Sequence, residues 1–329
     1  MRIREYISPS AIKKFYDNVE DYYLHYLADT ALEKEPQTQP MSIGSAFDAY
    51  TKSYLHERLF GVGNDPRFSF EAIFETQVEA CNRDWARIHG KRAFDDYKRS
   101  GALNDLYLDL SAAQGTPRFE FEIKDTLQGD VSGVVFVGKP DCYYKNKDGH
   151  PIVLDWKVNG WCGKGNTSPY PGYVRIRHGD GTVPKQLHHK DAKLITWNGV
   201  TINKAKTLEQ VNEDWAGQLS VYGWLLGEPV GGEFVTCIHQ LACKGTGGFP
   251  EVRIAEHCTY VSAEFQKDYY NKSVEMWNVI HSDHILRHLS KEESQSRCSI
   301  LDTLTVAEAQ MEDTEENRLF KQLNKTRTW

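Results

Sequence analysis

The chain has 329 residues, 40% of them hydrophobic and 26% charged, with a net charge of −7. That length can bury a sizeable core, as one large domain or two small ones. No apolar run nears the length that spans a bilayer, the opening MRIREYISPS has no apolar stretch suited to a signal peptide, and seven scattered cysteines fit a reducing compartment. A cytosolic protein with no membrane partner is expected, and the acidic balance argues against a general nucleic-acid-binding surface.

Taken in chain order, Ser8 followed by Pro9 predicts a helix start, serine as N-cap and proline in the first turn, with the helix running to Asp17. Lys13 and Lys14 lie exposed on it. EDYYLHYLAD spaces Tyr22, Tyr23, Tyr26 and Leu27 along one helical face. EKEPQTQP (33–40) reads as a loop, and residues 42–55 as a helix in which Gly44 and Ala46 allow close packing and Asp48 is included. A helical region is expected over 70–98 and another over 102–113. FEFEIKDT (119–126) alternates strictly and is expected to pair as one strand with VSGVVFVG (131–138) across the turn at 127–130. Glu120 and Glu122 lie on it, where outward-facing glutamates are the ordinary case.

The most informative stretch is GKPDCYYKNKDGHPIVLDWK, residues 138–157. CYY alternates out of Asp141, KNKDGH carries an Asp148-Gly149 turn signal, and PIVL is a short apolar strand, so the segment predicts a β-hairpin. Residues two apart on a strand share a face. Asp155 and Lys157 therefore project together, and the hairpin folds Asp141 back beside them. Two carboxylates and an ammonium on one face cost stability unless a cation or an anionic substrate completes them.

Residues 158–207 form a long Gly-, Pro- and Lys-rich insertion. Between Lys157 and Lys206 nine lysines and arginines stand against two acids, an excess of +7 on an otherwise acidic chain. Such a basic band is what a groove tracking phosphates looks like, with Arg175, Arg177, Lys190 and Lys193 as candidate DNA contacts; a solvated loop is the plain alternative. Trp161, Tyr170, Tyr173 and Trp197 could stack on unpaired bases or anchor the loop to the core, and both readings stay open. His188, His189 and Cys162 lack tetrahedral spacing, so no zinc site is expected. A helix over 208–226 puts Gln218 and Tyr222 on one face. GEFVTCIHQLAC and PEVRIAEHCTYV read as two strands, 262–290 as a long amphipathic helix, and 300–329 as a charged end.

Asp141, the Asp155-Trp156-Lys157 run, Gln218-Leu-Ser-Val-Tyr222, the opening SPSAIKKF and Gly44-Ser-Ala-Phe-Asp48 together resemble the PD-(D/E)XK nuclease superfamily, in its RecB-like and lambda-exonuclease-like branch. The elements come in that family's order and span residues 8–222; one departs, since Asp48 stands where the family usually has histidine. The resemblance implies an α/β fold: a mixed central sheet flanked by helices, a restriction-endonuclease-like core with an N-terminal helical portion. The corresponding boundaries are 1–114 for the helical portion with the G-x-x-x-D motif, 115–290 for the nuclease core with its insertion at 158–206, and 291–329 for a C-terminal tail.

It further implies a magnesium or manganese ion on Asp141, Asp155 and the backbone carbonyl of Trp156, with Asp48 as a further candidate ligand. Hard oxygen donors suit those metals. Lys157 would orient or deprotonate the attacking water or neutralise the phosphate, and Gln218 and Tyr222 would hold the substrate backbone or the lysine. Ser10, Lys13 and Lys14 at the first helix would hold a terminal phosphate. The implied activity is a metal-dependent deoxyribonuclease, an end-dependent exonuclease of the phage-recombination kind in a phage or bacterial host cytosol. Its partners would be DNA, a single-strand-annealing or other recombination protein, and further copies of itself. Some relatives in the branch hold an iron–sulfur cluster; Cys81, Cys237, Cys243, Cys258 and Cys298 include no C-x-x-C, so none is expected, and a CRISPR spacer-acquisition-like nuclease is the second choice. A non-cleaving DNA-binding module on the same fold is the alternative outside the enzyme class.

Overall fold

Five strands form a mixed sheet in the order β1 (Arg118–Phe119), β4 (Cys142–Lys145), β5 (Pro151–Val158), β6 (Val235–Cys243) and β7 (Val252–Tyr260), in a computed structural model that describes residues 4–28, 36–119, 121–159, 172–173, 212–243 and 252–281. β5 and β6 run parallel and the other neighbours antiparallel. A second, two-stranded ribbon joins β2 (Ile123–Thr126) to β3 (Val135–Gly138). Together with eight helices among the described residues, these strands make the class α/β, as the sequence predicts.

The predicted hairpin is β4–β5. Cys142 pairs with Leu154 and Lys145 with Pro151, and the turn closes through Asn146 N–H to His150 O and Gly149 N–H to Asn146 O. The Asn146 side chain accepts from the backbone of Asp148 and His150, which fixes the turn without help from other elements. Ile152, Val153 and Leu154 are fully buried, each worth roughly 1.5–3 kcal/mol relative to exposure. The turn sets the register, and a slip of one residue would turn Asp155 away from its face.

The 119–126 segment departs from expectation. It is divided: Phe119 pairs with Cys142 in the main sheet, and only Ile123–Thr126 pairs with Val135–Gly138. Alternation shows that a segment is extended but not which neighbour it chooses. The helical region expected over 70–98 is likewise two helices, α4 (Phe70–Gln77) and α5 (Arg83–Arg99), with a 3₁₀ turn between them.

Contacts divide the chain into two compact units. The smaller comprises residues 1–33 and 271–329, and its described part holds α1 (Pro9–Asp17), α2 (Val19–Tyr26) and the last turns of α8 (Ala263–His281). Ser8 caps α1 by accepting from Ala11 N–H. Tyr16 donates to the Lys272 carbonyl, and Met276 and Ile280 are buried. The larger unit, residues 34–270, holds the sheet together with α3 (Gln39–Phe60), α4, α5, α6 (Ala102–Ser111) and α7 (Glu213–Leu225). Residues 34–114 thus share a unit with the sheet.

In the larger unit, α3, α4 and α5 share a core of Ala46, Ala49, Ile73, Phe74, Val78 and Ala86. α7 packs on β3, β5 and β6. Its Trp224 lies edge-on to Phe136 and donates to the fully buried Gln266 of α8. The Trp156 indole donates to Tyr97 of α5, whereas Lys157, the next residue, donates to Gln218 of α7. By strand alternation α5 and α7 therefore cover opposite faces of β5.

Candidate functional site

The site gathers on the α7 face of β5, at the open end of the hairpin. Asp141 immediately precedes β4; one of its oxygens accepts the Trp156 N–H at 3.0 Å, which ties it beside the strand that carries Asp155 and Lys157. Lys157 Nζ stands 2.5 Å from Asp155 Oδ2. It donates to Gln218 Oε1 at 3.3 Å, and Gln218 Nε2 donates to the Tyr222 hydroxyl at 2.8 Å. One turn of α7 separates Gln218 from Tyr222, so the helix presents both to the strand. Gly138 makes room for this: a Cβ there would sit 2.7 Å from the Tyr222 ring.

On the other side of Asp141 stands a residue that the sequence reading passed over. Lys52 of α3, 1% exposed, donates to Asp48 Oδ2 at 2.6 Å and to Asp141 Oδ1 at 2.9 Å. Gln77, at the end of α4, donates to the same Asp48 oxygen at 3.0 Å. The signal available in the sequence was the Asp48/Lys52 spacing of four residues on one helix. The whole runs as one chain of groups: Gln77, Asp48, Lys52, Asp141, Asp155, Lys157, Gln218, Tyr222.

The electrostatics follow from burial and sign. Burial alone would raise the Asp141 carboxyl, but the Lys52 and Lys157 ammoniums and hydrogen bonds from Lys52 and the Trp156 N–H outweigh it and hold it below its ordinary value. Asp155 goes the other way. Its burial pushes it up to about 7, and the neighbouring Asp141 carboxylate adds to this while Lys157 opposes it. Burial works against the Lys157 charge, yet Asp155, Asp141 and Asp48 raise its pKa above the usual lysine value. Burial also raises the Tyr222 hydroxyl, with Asp155 adding to the shift, so it stays protonated.

Among the described residues no three His, Cys, Asp or Glu side chains are grouped as a ready-made metal cage. What the site offers is a pair of hard oxygen donors, Asp141 and Asp155, with a feature that suits a cation: Asp155 Oδ2 is buried and accepts no aligned hydrogen bond, although Lys157 is in ion-pair contact with it. A carboxylate oxygen left in that state fits magnesium or manganese better than a softer metal.

Ser10, Lys13 and Lys14 belong to the smaller unit. Ser10 shares a hydrogen bond with Ser8, Lys13 pairs with Asp17 at 2.6 Å, and Lys14 with Asp21 at 2.7 Å. Arg175, Arg177, Lys190 and Lys193 lie outside the described residues, as do Trp161, Cys162, Tyr170, His188, His189 and Trp197. Tyr173 is described, and of its two open readings the anchoring one fits. It is fully buried with its hydroxyl 2.7 Å from Thr236 Oγ1, because it packs under the start of α7 beside Trp215 and anchors the chain there. Cys237 and Cys258 are register partners on β6 and β7, so strand register brings their sulfurs together across 21 residues, a juxtaposition that scattered spacing does not reveal. No helix among the described residues is long and apolar enough to cross a membrane.

No protein-family model and no curated protein matches the chain. Among solved structures, "Crystal structure of SSO0001" aligns with 81% of this chain and 82% of that one, at 11% identity and a TM-score of 0.24. A likeness at that level carries no argument.

Proposed function

We propose that the protein is a divalent-metal-dependent nuclease that hydrolyses DNA phosphodiester bonds, and within that class an end-dependent exonuclease. The observation that carries the reading is the convergence of Asp141, Asp155 and Lys157 at the mouth of the β4–β5 hairpin, with Gln218 of α7 on the lysine. Magnesium or manganese is the cofactor and DNA the partner; a recombination protein and self-association belong to the same reading.

A bound divalent ion would lower the pKa of its water and draw charge from the scissile phosphate. Asp141 and Asp155 would supply its oxygen ligands. Asp155 and Gln218 hold the Lys157 ammonium from two sides, so it is oriented before substrate arrives and costs no reorganisation when charge develops on phosphorus. Tyr222 keeps Gln218 in place by accepting its amide hydrogen bond. The Lys52 ammonium, already lying between two carboxylates, favours a second reading, a non-cleaving DNA-binding module.

Digestion of end-labelled linear, nicked and closed circular duplex with magnesium or manganese, with and without EDTA, tests both. Linear duplex should be degraded progressively, the closed circle should resist, and EDTA should stop all loss. Rapid cutting of the circle would move the assignment to an endonuclease; binding without hydrolysis would establish the module. Asp155→Asn should lower the rate by on the order of 10²-fold or more with circular dichroism unchanged, and wild-type turnover in that variant would remove the chemistry from these residues.

A further inference from the structure

Lys52 is the one charged group of the site to which neither the sequence pattern nor the nuclease reading gives a task. Its side chain is almost wholly enclosed, and an enclosed ammonium is tolerated only where paired carboxylates offset its lost hydration. It touches two, Asp48 at 2.6 Å and Asp141 at 2.9 Å. Asp141 is also the carboxylate that the metal reading needs, and its second oxygen is engaged by the Trp156 N–H. With all five groups ionised, three carboxylates stand against two ammoniums and one negative charge is left over.

Resting on the nuclease reading, we propose that Lys52 is an internal countercation that competes with the divalent ion for Asp141. In the metal-free protein it holds Asp48 and Asp141 together and offsets their repulsion. A divalent ion on Asp141 and Asp155 must draw Asp141 away from Lys52 and then stand close to an ammonium, so the cation binds weakly while the site is empty of DNA. A phosphodiester adds the negative charge that lets metal and ammonium coexist, and the site then sums to neutral. Lys52 thereby makes metal uptake depend on substrate.

The test measures Mn²⁺ binding by calorimetry at one pH and ionic strength, without DNA, in wild type, Lys52→Gln and Lys52→Met. Glutamine keeps a donor for the carboxylates without the charge. Removing a unit charge a few ångströms from a cation should tighten Mn²⁺ binding by about tenfold or more, since Coulomb energies at that range are large beside thermal energy. A purely structural lysine would give the opposite, because a loosened site binds metal less well. Equal or weaker Mn²⁺ affinity in a folded Lys52→Gln protein overturns the proposal. Should Lys52→Met be unfolded alone, Mn²⁺ should restore its far-ultraviolet circular dichroism, and failure to do so also overturns it. Tighter Mn²⁺ binding without DNA hydrolysis in wild type would sink the nuclease reading and leave only the competition between Lys52 and the cation for Asp141; hydrolysis in wild type with no tightening in the variants would overturn the competition and keep the nuclease reading.

Discussion

Lowering the pH from 7 to 5 should destabilise the protein through two buried histidines, and His257→Gln should remove about half of that effect. His239 of β6 and His257 of β7 are each 1% exposed. Burial pushes His239 down to about 3, with His257 adding to the shift, and burial pushes His257 down to about 4. Both imidazoles are therefore neutral in the folded chain, whereas an unfolded histidine titrates near 6.5. Because the folded values are the depressed ones, the unfolded chain takes up protons first. The stability is complete above about 6.5 and drains away as the pH falls towards 4. At pH 5 the unfolded value lies about 1.5 pH units above the solution, which at roughly 1.36 kcal/mol per unit costs about 2 kcal/mol per histidine.

The pair thus costs about 4 kcal/mol, against a total stability of roughly 5–15 kcal/mol for an ordinary domain. Asp155 opposes this. Raised to about 7, it binds a proton in the folded state before the unfolded chain does, so acid relieves its burial. The wild-type curve alone is a sum of opposing effects, and a difference between two proteins separates them. Urea denaturation of wild type and His257→Gln at pH 7, 6 and 5 should show the wild-type advantage shrinking by about 2 kcal/mol, most of it below pH 6. Parallel curves would refute the reasoning. The result bears on the site because Tyr97, which receives the Trp156 indole, has its hydroxyl 2.5 Å from His239 Nδ1, directly under the strand of Asp155 and Lys157.

Two further perturbations probe the supports of the site. Gln218→Ala removes the group that joins Lys157 to Tyr222 and should lower the hydrolytic rate by about 10–100-fold, the range for partners that orient a working group, with KM for DNA little changed; a KM effect at constant kcat would put Gln218 on the DNA backbone instead. Gly90→Ala should destabilise by roughly 1–3 kcal/mol through overpacking, because a Cβ on α5 would lie 2.4 Å from Ala46 Cβ and 3.0 Å from Phe47 N of α3. Wild-type urea midpoints in Gly90→Ala would mean that the two helices can part freely.

The hairpin was legible because its information is local: a two-residue period, an apolar strand and a turn signal that fixes the pairing and so which way Asp155 points. Helix α1 was legible for the same reason, Ser8 and Pro9 being start signals whose hydrogen bond the structure contains. Partnerships set by register were not. Residues 119–126 alternate without a break, yet the backbone switches from β4 to β3 between Phe119 and Ile123. Cys237 meets Cys258 only because β6 and β7 pair with that offset. Tyr173 sits in a polar, glycine-rich stretch that offers no periodicity to mark it as core, and its burial comes from Thr236 and Trp215, both far along the chain.

Lys52 was hidden for a different reason. A lysine on a helix ordinarily reaches solvent, and the pattern that exposes an exception is a polar residue on an otherwise apolar stripe. Helix α3 has no clean stripe: Phe47, Ala49, Thr51, Lys52, Ser53 and Leu55 are all buried, so it is enclosed on several sides and no face stands out. Its second partner, Asp141, lies just before β4, 89 residues away. This changes how Asp48 is read. An unaccompanied aspartate there would add a negative charge beside Asp141 and Asp155. Asp48 is not unaccompanied. Together with Lys52 one turn later it forms a pair of zero net charge, so Asp48 and the buried lysine are one feature. Asp48→His alone would leave the Lys52 ammonium with one carboxylate fewer, so that substitution should be tolerated only when Lys52 is also made neutral, as urea midpoints of the single and double variants would show.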